Sequence, residues 1–347
     1  MSESTIILGI ESSCDDTSAA IIQGNKILSN IAANQQIHND YGGVVPELAS
    51  RAHQLNIIPV VQKSLVEANI QQNDIAAIGF TRGPGLLGSL LVGTSFAKSL
   101  AMSLEVPLIE VNHLQAHILA HFIEDANPVP PKLPFLCLTV SGGHTMIVLV
   151  KDYFNMKIIG KTTDDAAGEA FDKIGKIFGL DYPAGPIVDR LAKEGDPNSF
   201  KFNKPRLENY DYSFSGVKTS VLYFIQKEIR KNPDFINENL KNLCASVQKT
   251  IIEVLMEKLE KAAEDYSIKE VAIAGGVSAN SGLRKAMEEN AAKLGWNIYI
   301  PKFEYTTDNA AMIAMVAKLK YGRGEFSDLS VSATARYDLE EDFYKRS

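Results

Sequence analysis

The chain has 347 residues, of which 45% are hydrophobic and 22% are charged, as in soluble globular proteins with room for two domains. Its formal net charge of −7 argues against a protein that holds nucleic acid through bulk charge. A local patch remains open, and residues 201–218, which mix cations with aromatics, are either such a patch or a solvated loop. Cys14, Cys137 and Cys244 form no CxxC pair, which argues against a disulfide framework and a thiolate zinc site and predicts a cytoplasmic protein. We also predict no membrane span, because no apolar run has the necessary length, and no signal peptide, because MSESTIILGIESS has no basic n-region.

The first half begins with a strand, a polar turn and a second strand. IILGI and SAAII flank ESSCDDT, and a long amphipathic helix follows from Pro46. IAAIGF then predicts a buried strand, and GPGLLGSLLVGTSFAKSLAMSL predicts a helix. Residues 83–88 match the dinucleotide pattern GxGxxG, with Glu110 at roughly the spacing of a ribose-binding acid. We favour close packing of helix and strand instead, because this strand is not the first of its domain.

Three histidines follow the next predicted strand, VPLIEV, and Asn112 is a suitable N-cap between strand and helix. His113, His117 and His121 recur every four residues, which places them on one helical face. Two imidazoles at this spacing, at the carboxyl end of a strand, are able to share a metal ion, although an ordinary helix face shows the same spacing. Asp308, in TTDNAAMIA at the start of the last predicted helix, is a suitable third ligand or an ordinary helix cap.

The second half repeats the opening pattern. NPVPPKLP, residues 127–134, predicts a linker because its prolines exclude helix and central strand. FLCLTV, the turn SGGH and TMIVLV then predict another hairpin, and VAIAGGVSAN predicts a later buried strand that ends in a glycine turn. Two halves that each begin with strand, polar turn and strand indicate a duplicated α/β unit with both turns facing one cleft.

Two glycine turns in the second half are candidate phosphate sites. Ser141, Gly142 and Gly143 offer consecutive backbone N–H groups, and residues 275–280 do so at a helix N-terminus. Each is also compatible with an ordinary turn. Asp172, in DDAAGEAFDK, either faces solvent or binds a ribose hydroxyl.

Ten motifs, spread in order over nearly the whole chain, resemble those of the tRNA N6-adenosine threonylcarbamoyltransferase family, formerly called O-sialoglycoprotein endopeptidases. They are GIESSCDDT, YGGVVPELASRAH, TRGPGLLGSLLVG, NHLQAH, VSGGHT, DDAAGEAFDK, LDYPAGP, YSFSGVKT, AGGVSAN and TTDNAAMIA. The resemblance implies an α/β fold of duplicated actin-like ATPase (RNase H-like) domains with a central interdomain cleft. We therefore expect an N-terminal domain over residues 1–126 and a linker over 127–134. A C-terminal domain with helical insertions follows over 135–322, and a tail, 323–347, returns to the first domain.

The resemblance also implies an activity. The family transfers a threonylcarbamoyl group from threonylcarbamoyl-AMP to the N6 amine of the adenosine 3′ of the anticodon, in tRNAs reading codons that begin with A.

The resemblance further implies one divalent metal ion per subunit, iron in preference to zinc, bound by His113, His117 and Asp308. We assign His121 to the helix surface. Besides tRNA, the implied partners are a metal-poor paralogue of the same fold and a small ATPase, with no membrane. The implied substrate contacts are Thr139, Val140, Ser141, Gly142, Gly143, Asp172, Gly185, Asp189 and Asn280.

Two positions depart from the family pattern. Gln115 stands where many relatives have Glu, and Ala52 stands where they usually have Asp. An amide cannot act as a general base, so Gln115 argues against a zinc peptidase, as does the absence of HExxH. Glu11 and Asp15, in the first polar turn, are the candidate bases for the N6 amine. Two alternatives remain: an actin-like ATPase or kinase, which would not need the three metal ligands, and a non-catalytic scaffold, which could discard them.

Overall fold

The computed structural model describes residues 5–33, 38, 41–205 and 207–340, and the chain divides into two compact units. Unit 1 is Met1–Pro131, Tyr153–Met156 and Pro301–Ser347, and unit 2 is Lys132–Asp152 and Lys157–Ile300. The sequence predicts that the second domain extends to residue 322, whereas the chain re-enters unit 1 at Pro301. Residues 341–347 of the predicted tail lie outside the described residues.

Unit 1 contains a five-stranded sheet in the order β3-β2-β1-β4-β5. Its strands are β1 (Ile6–Glu11), β2 (Thr17–Gln23), β3 (Lys26–Ala33), β4 (Ala77–Gly83) and β5 (Leu108–Asn112). Its helices are α1 (Pro46–Ala68), α2 (Leu87–Leu104), α3 (His113–Leu119) and α9 (Ala310–Tyr321). The first three strands form an antiparallel meander, whereas β4 and β5 continue the sheet parallel to β1. The carboxyl ends of β1, β4 and β5 therefore meet at one edge of this sheet.

The side chains of β1 alternate between two helical layers, as the pleat requires. Leu8 and Ile10 join the apolar core that α1 and α2 cover, whereas Gly9 faces α9. A Cβ on Gly9 would lie 2.5 Å from the carbonyl oxygen of Ala310, so only glycine lets the helix approach the strand this closely. This packing draws α9 into unit 1, and the chain therefore returns before residue 323.

We expect Gly9→Ala to lower the free energy of unfolding by about 1–3 kcal/mol, because an added methyl group would push β1 and α9 apart. Chemical denaturation measures the change. Gly276→Ala is a matched control, since a Cβ at Gly276 would meet no atom within 4 Å. Equal stability of the two variants would contradict this account of the packing.

Helix α2 corrects one expectation from the sequence. Among the described residues it is the one helix long and apolar enough to cross a membrane, with 18 residues and a mean hydropathy of 1.3. The prediction that no apolar run is long enough to cross a membrane is therefore wrong, because α2 meets the requirement of length and composition. In this structure α2 packs on α1 and β4, and Gly93 lies against the Ser12 side chain. Packing within unit 1 thus accounts for the small and apolar residues on the buried face of α2, whereas Leu87, Leu91 and Met102 are exposed.

Unit 2 repeats the sheet of unit 1. Its strands are β6 (Phe135–Val140), β7 (Thr145–Asp152), β8 (Asn155–Lys161), β9 (Glu270–Ala274) and β10 (Asn297–Tyr299). Its helices are α4 (Ala167–Ile177), α5 (Ala184–Ala192), α6 (Ser215–Ile229), α7 (Phe235–Asp265) and α8 (Ser281–Leu294). The sheet order is β10-β9-β6-β7-β8, so each unit places its strands, counted along the chain, in the order three-two-one-four-five. The predicted duplication of an α/β unit is confirmed.

Candidate functional site

Helix α3 begins directly where β5 ends, at the carboxyl edge of the sheet. The Oδ1 atom of Asn112 accepts hydrogen bonds from the N–H groups of Leu114 at 2.9 Å and Gln115 at 3.2 Å, which confirms the predicted N-cap. The Asn112 amide also donates to the Asp338 carbonyl at 3.2 Å. One side chain thus ties the start of α3 to the C-terminal segment.

His113, His117 and Asp308 come together in unit 1. The Oδ1 atom of Asp308 lies 3.4 Å from Nε2 of His113 and 3.2 Å from Nε2 of His117. The two imidazole rings are 4.7 Å apart and nearly perpendicular. One potential ligand atom from each of the three residues lies within 4.8 Å of the other two. Two imidazoles and one carboxylate are a donor set that suits zinc or iron.

Glu11 holds His113 from the side opposite Asp308. Its Oε2 atom lies 3.0 Å from Nδ1 of His113 and accepts a hydrogen bond from Oγ1 of Thr81 at 2.7 Å. The Ser13 N–H donates to its other oxygen, and the Glu11 side chain is fully buried. Burial would raise the pKa of Glu11, but the neighbouring His113 holds it below its ordinary value. A carboxylate on Nδ1 leaves Nε2 of His113 directed at Asp308 and available to a metal ion.

The site concentrates carboxylates, and this charge fits a cation. Burial would lower the pKa of His113, but Asp308 and Glu11 raise it well above its ordinary value. Burial and then the carboxylates of Asp15, Asp308 and Glu11 raise the pKa of Asp16 to about 7. A proton on His113 offsets this negative charge, and a divalent ion bound at Nε2 would replace that proton. The donor atoms and their surroundings therefore fit a metal ion.

The two predicted bases differ in environment. Glu11 is fully buried and its oxygens already accept hydrogen bonds from Ser13 and Thr81, so it suits orientation of His113 better than proton transfer. Asp15 lies half-buried in the turn between β1 and β2 and keeps its place as a candidate.

His121 is not part of the ligand cluster. Helix α3 ends at Leu119, and His121 lies in a 3₁₀ turn with 1% of its surface exposed. The Asn127 amide lies 3.0 Å from Nδ1 of His121 and donates to the His121 carbonyl at 3.1 Å. The predicted surface position is wrong, because the tighter turn after α3 rotates this side chain into unit 1. His121 instead anchors the following loop.

The predicted anion site in unit 2 is a closed turn between β6 and β7. The Oγ atom of Ser141 accepts hydrogen bonds from the N–H groups of Gly143 at 3.3 Å and His144 at 3.0 Å. A bound anion would compete with Ser141 for these donors. A Cβ at Gly142 or Gly143 would meet no atom within 4 Å, so open space lies above the turn. Thr139 and Val140 precede it as fully buried residues of β6.

The remaining predicted substrate residues of unit 2 make their hydrogen bonds at two helix N-termini. The Asp172 carboxylate accepts hydrogen bonds from the N–H groups of Ala184 at 2.8 Å and Gly185 at 3.2 Å, at the start of α5. Asp189, in α5, accepts from the N–H of Ser281 at 3.1 Å, where α8 begins. Asn280 caps α8, because its Oδ1 accepts from the Leu283 N–H at 3.0 Å. These residues thus form two hydrogen-bonded groups, Asp172 with Gly185 at the start of α5, and Asp189 with Asn280 at the start of α8. Side-chain oxygens of the protein, rather than phosphates, already accept from both helix ends.

Comparison with known proteins shows the family to which the chain belongs. Residues 26–315 match the model of the tRNA N6-adenosine threonylcarbamoyltransferase family. The chain belongs to this family. The threonylcarbamoyltransferase of Riemerella anatipestifer is 82% identical over 335 residues, which are 96% of this chain and 98% of that protein. The threonylcarbamoyltransferase of Christiangramia forsetii is 61% identical over 95% of this chain and 97% of that protein.

Solved structures show that this threonylcarbamoyltransferase chain has the duplicated actin-like fold. Full-length HypF, in its phosphate- and nucleotide-bound form, matches with a TM-score of 0.60 at 14% identity, over 93% of this chain and 47% of that chain. Component A of (R)-2-hydroxyglutaryl-CoA dehydratase from Acidaminococcus fermentans matches with a TM-score of 0.53 at 16% identity. The match covers 92% of this chain and 100% of that chain. At these identities the likeness concerns the fold alone, and it confirms the predicted fold class.

Within this family member the GPGLLG loop serves packing. The N–H of Gly85 donates to the Ala335 carbonyl at 3.3 Å, and the N–H of Leu86 donates to the Ser13 carbonyl at 2.7 Å. A Cβ on Gly85 would collide with that Ser13 carbonyl. The close packing predicted for this loop is confirmed.

The basic and aromatic segment, residues 201–218, carries less free charge than its sequence suggests. Lys204 pairs with Glu253 at 3.3 Å and Lys218 pairs with Asp165 at 3.2 Å. Arg206 lies outside the described residues. Phe202, Tyr212 and Phe214 are buried in the core of unit 2, and α6 begins at Ser215. The described part of this segment is therefore neither an exposed basic and aromatic patch nor the solvated loop that the sequence left open.

Two polar residues around His113 were not predicted from the sequence. Ser13 Oγ lies 3.2 Å from Nδ1 of His113, and Thr81 bridges to it through Glu11. Ser13 follows β1 in IESS, and Thr81 lies near the end of β4 in FTRGPG. Polar residues at the carboxyl end of a strand are a sequence signal of a binding site. The signal becomes specific only when β1, β4 and β5 are known to be neighbours.

Proposed function

We propose that this chain transfers the threonylcarbamoyl group of threonylcarbamoyl-AMP to the N6 amine of the adenosine 3′ of the anticodon, in tRNAs reading codons that begin with A. Family membership over most of the chain supports the reaction. The single structural observation that carries the proposal is the convergence of His113, His117 and Asp308 on one point. An ATPase or kinase of the same fold would have no use for this donor set.

We further propose that the bound ion is iron in preference to zinc, one per subunit, held by Nε2 of His113, Nε2 of His117 and a carboxylate oxygen of Asp308. Such an ion supplies Lewis-acid chemistry, which is typically worth several kcal/mol in stabilising charge on a carbonyl or phosphoryl oxygen. Glu11 keeps His113 in the tautomer that presents Nε2, and Asn112 keeps α3 at the end of β5.

The acceptor amine needs help because its lone pair is delocalised into the purine. In the proposed reaction a bond forms between N6 and the carbamoyl carbon, the bond from that carbon to the phosphate oxygen breaks, and AMP leaves. Asp15 takes the proton that N6 loses. Its position in the turn after β1, four residues after Glu11 and half-exposed, supports this role over a buried structural one.

We assign the nucleotide part of the donor to unit 2. The lone pairs that Asp172 and Asp189 keep beyond their N–H contacts suit ribose hydroxyl donors, with Gly185 and Asn280 alongside. The open space above Ser141, Gly142 and Gly143 suits the phosphate or the carbamoyl oxygen. Thr139 and Val140, being buried in β6, position this turn.

The proposal includes partners and a compartment. Besides tRNA, we expect a metal-poor paralogue of the same fold and a small ATPase to be required for repeated turnover, in the cytoplasm. The test uses the purified chain with threonylcarbamoyl-AMP, tRNA and Fe²⁺ or Zn²⁺, with and without these two proteins. Formation of N6-threonylcarbamoyladenosine that depends on the metal supports the proposal. Rapid ATP turnover by the chain alone, or modification at full rate in a metal-free chain, would refute it.

Gly142→Ala tests the assigned donor site. Because a Cβ at Gly142 meets no protein atom, we expect unchanged thermal stability. The methyl group enters the space assigned to the donor, so KM for threonylcarbamoyl-AMP is expected to rise about tenfold, equivalent to ~1.4 kcal/mol. Steady-state kinetics and thermal unfolding measure the two quantities. An unchanged KM would remove this turn from the donor site.

A further inference from the structure

A second polar cluster in unit 1 lies outside the ligand set, on the loop after α3. The Asp125 carboxylate accepts a hydrogen bond from the Tyr305 hydroxyl at 2.8 Å and a second one from the Lys302 ammonium group. Tyr305 is 3% exposed, whereas the side chains of Asp125 and Lys302 are about half exposed, at 51% and 48%. An exposed ion pair contributes little, so the hydrogen bond from the buried tyrosine is the stronger of the two links.

The links join the two chain segments that carry the metal ligands. Asp125 follows His117 through the 3₁₀ turn Ala120–Phe122, and His121 and Asn127 hold this loop in place. Tyr305 ends the 3₁₀ turn Phe303–Tyr305, three residues before Asp308. Since α3 and Asp308 are nearly two hundred residues apart in sequence, nothing local sets their separation.

The segment that presents Asp308 is fixed at both ends. On one side, Asn309 caps α9 by accepting a hydrogen bond from the Met312 N–H at 3.0 Å. On the other, the Thr306 hydroxyl donates to the Phe303 carbonyl at 2.7 Å, which closes the turn that Tyr305 ties to Asp125. Burial and the hydrogen bond to Asp125 raise the pKa of Tyr305 above its ordinary value, so it remains a neutral donor.

We propose that Asp125, with Tyr305 and Lys302, is a positioning clamp that sets the distance between the histidines of α3 and the carboxylate of Asp308. The inference rests on the metal site of the proposed function. None of the three residues is a ligand, and each acts through the backbone segment that it holds. A metal site tolerates displacements of only a few tenths of an ångström, so loss of the clamp weakens metal binding before it alters the fold.

Tyr305→Phe tests the clamp, because it removes one hydroxyl and keeps the buried ring. Tyr210→Phe is the matched control: its hydroxyl donates to Asp265 at 2.7 Å, and Lys261 pairs with the same carboxylate at 3.2 Å, all within unit 2. Asp125→Ala and Asp265→Ala form a second matched pair that removes each acceptor. The full chain is titrated with Co²⁺ in competition with a chelator, the visible absorption of the bound Co²⁺ is recorded, and metal-free thermal unfolding is measured in parallel.

We expect Tyr305→Phe to bind Co²⁺ about tenfold more weakly than the unmodified chain, the lower end of the effect of residues that orient metal ligands. Its Co²⁺ spectrum is expected to change, whereas Tyr210→Phe keeps the affinity and spectrum of the unmodified chain. A clamp variant with unchanged Co²⁺ affinity and spectrum, whatever its thermal stability, overturns the clamp while the metal site stands. An unmodified chain that binds no Co²⁺ overturns the metal site, and the clamp with it.

Discussion

Replacing His113 with alanine is expected to remove the bound metal and to lower threonylcarbamoyl transfer by about 1000-fold, or ~4 kcal/mol of transition-state stabilisation. The reason is geometric. His113 supplies one of three ligand atoms that lie within 4.8 Å of one another, and no described histidine, cysteine or carboxylate joins that cluster to take its place. Metal analysis of the purified variant and a single-turnover transfer assay measure the two effects.

The matched control for His113→Ala is Gln115→Ala, on the same helix and also buried. The Gln115 side chain offers no atom to the ligand cluster, so this variant should keep its metal and its transfer rate. Circular dichroism of both variants separates loss of metal from loss of fold. Transfer at the unmodified rate by a metal-free His113→Ala chain would show that the reaction does not need the ion.

Much of the fold is predictable because its signals are local. IILGI and FLCLTV each start an alternation of strand, polar turn and strand, and the structure has both hairpins. The N-cap at Asn112 is likewise a property of a few neighbouring residues. The return of the chain at Pro301 is not local. It depends on Gly9 and Gly79, which permit α9 to lie on the sheet of unit 1. No pattern near residue 301 shows that the following helix packs on strands so far back in the chain.

The site divides in the same way. The four-residue spacing of His113 and His117 marks one helical face. The position of Asp308 at a predicted helix start suits a ligand or a cap, and the resemblance selects the ligand. The environment of Glu11 requires the strand order, because Glu11, Thr81 and His113 meet only when β4 lies between β1 and β5. His121 shows the opposite limit: helical spacing predicts one shared face, but the helix ends after Leu119 and the third imidazole turns away.

Glu11→Gln is expected to weaken metal binding by about 10–100-fold, the usual effect of removing a carboxylate that orients a metal-bound histidine. The neutral amide lacks the negative charge that, in Glu11, makes the His113 ring a better ligand. It also brings an N–H₂ group towards the donors of Ser13 and Thr81, where the carboxylate accepts both. Competition with a chelator measures the affinity, and transfer is measured over a range of metal concentrations.

The same titration separates two roles for Glu11. If Glu11 orients His113, saturating metal restores transfer to nearly the rate of the unmodified chain, because the reacting groups are intact. If Glu11 removes the proton from N6, transfer stays low when the metal site is full. Glu110→Gln is the matched control, since that glutamate pairs with Arg82 at 2.9 Å and with Tyr337 at 3.4 Å. The full burial of Glu11 and its contact with Nδ1 of His113 favour recovery at high metal, which would leave Asp15 as the base.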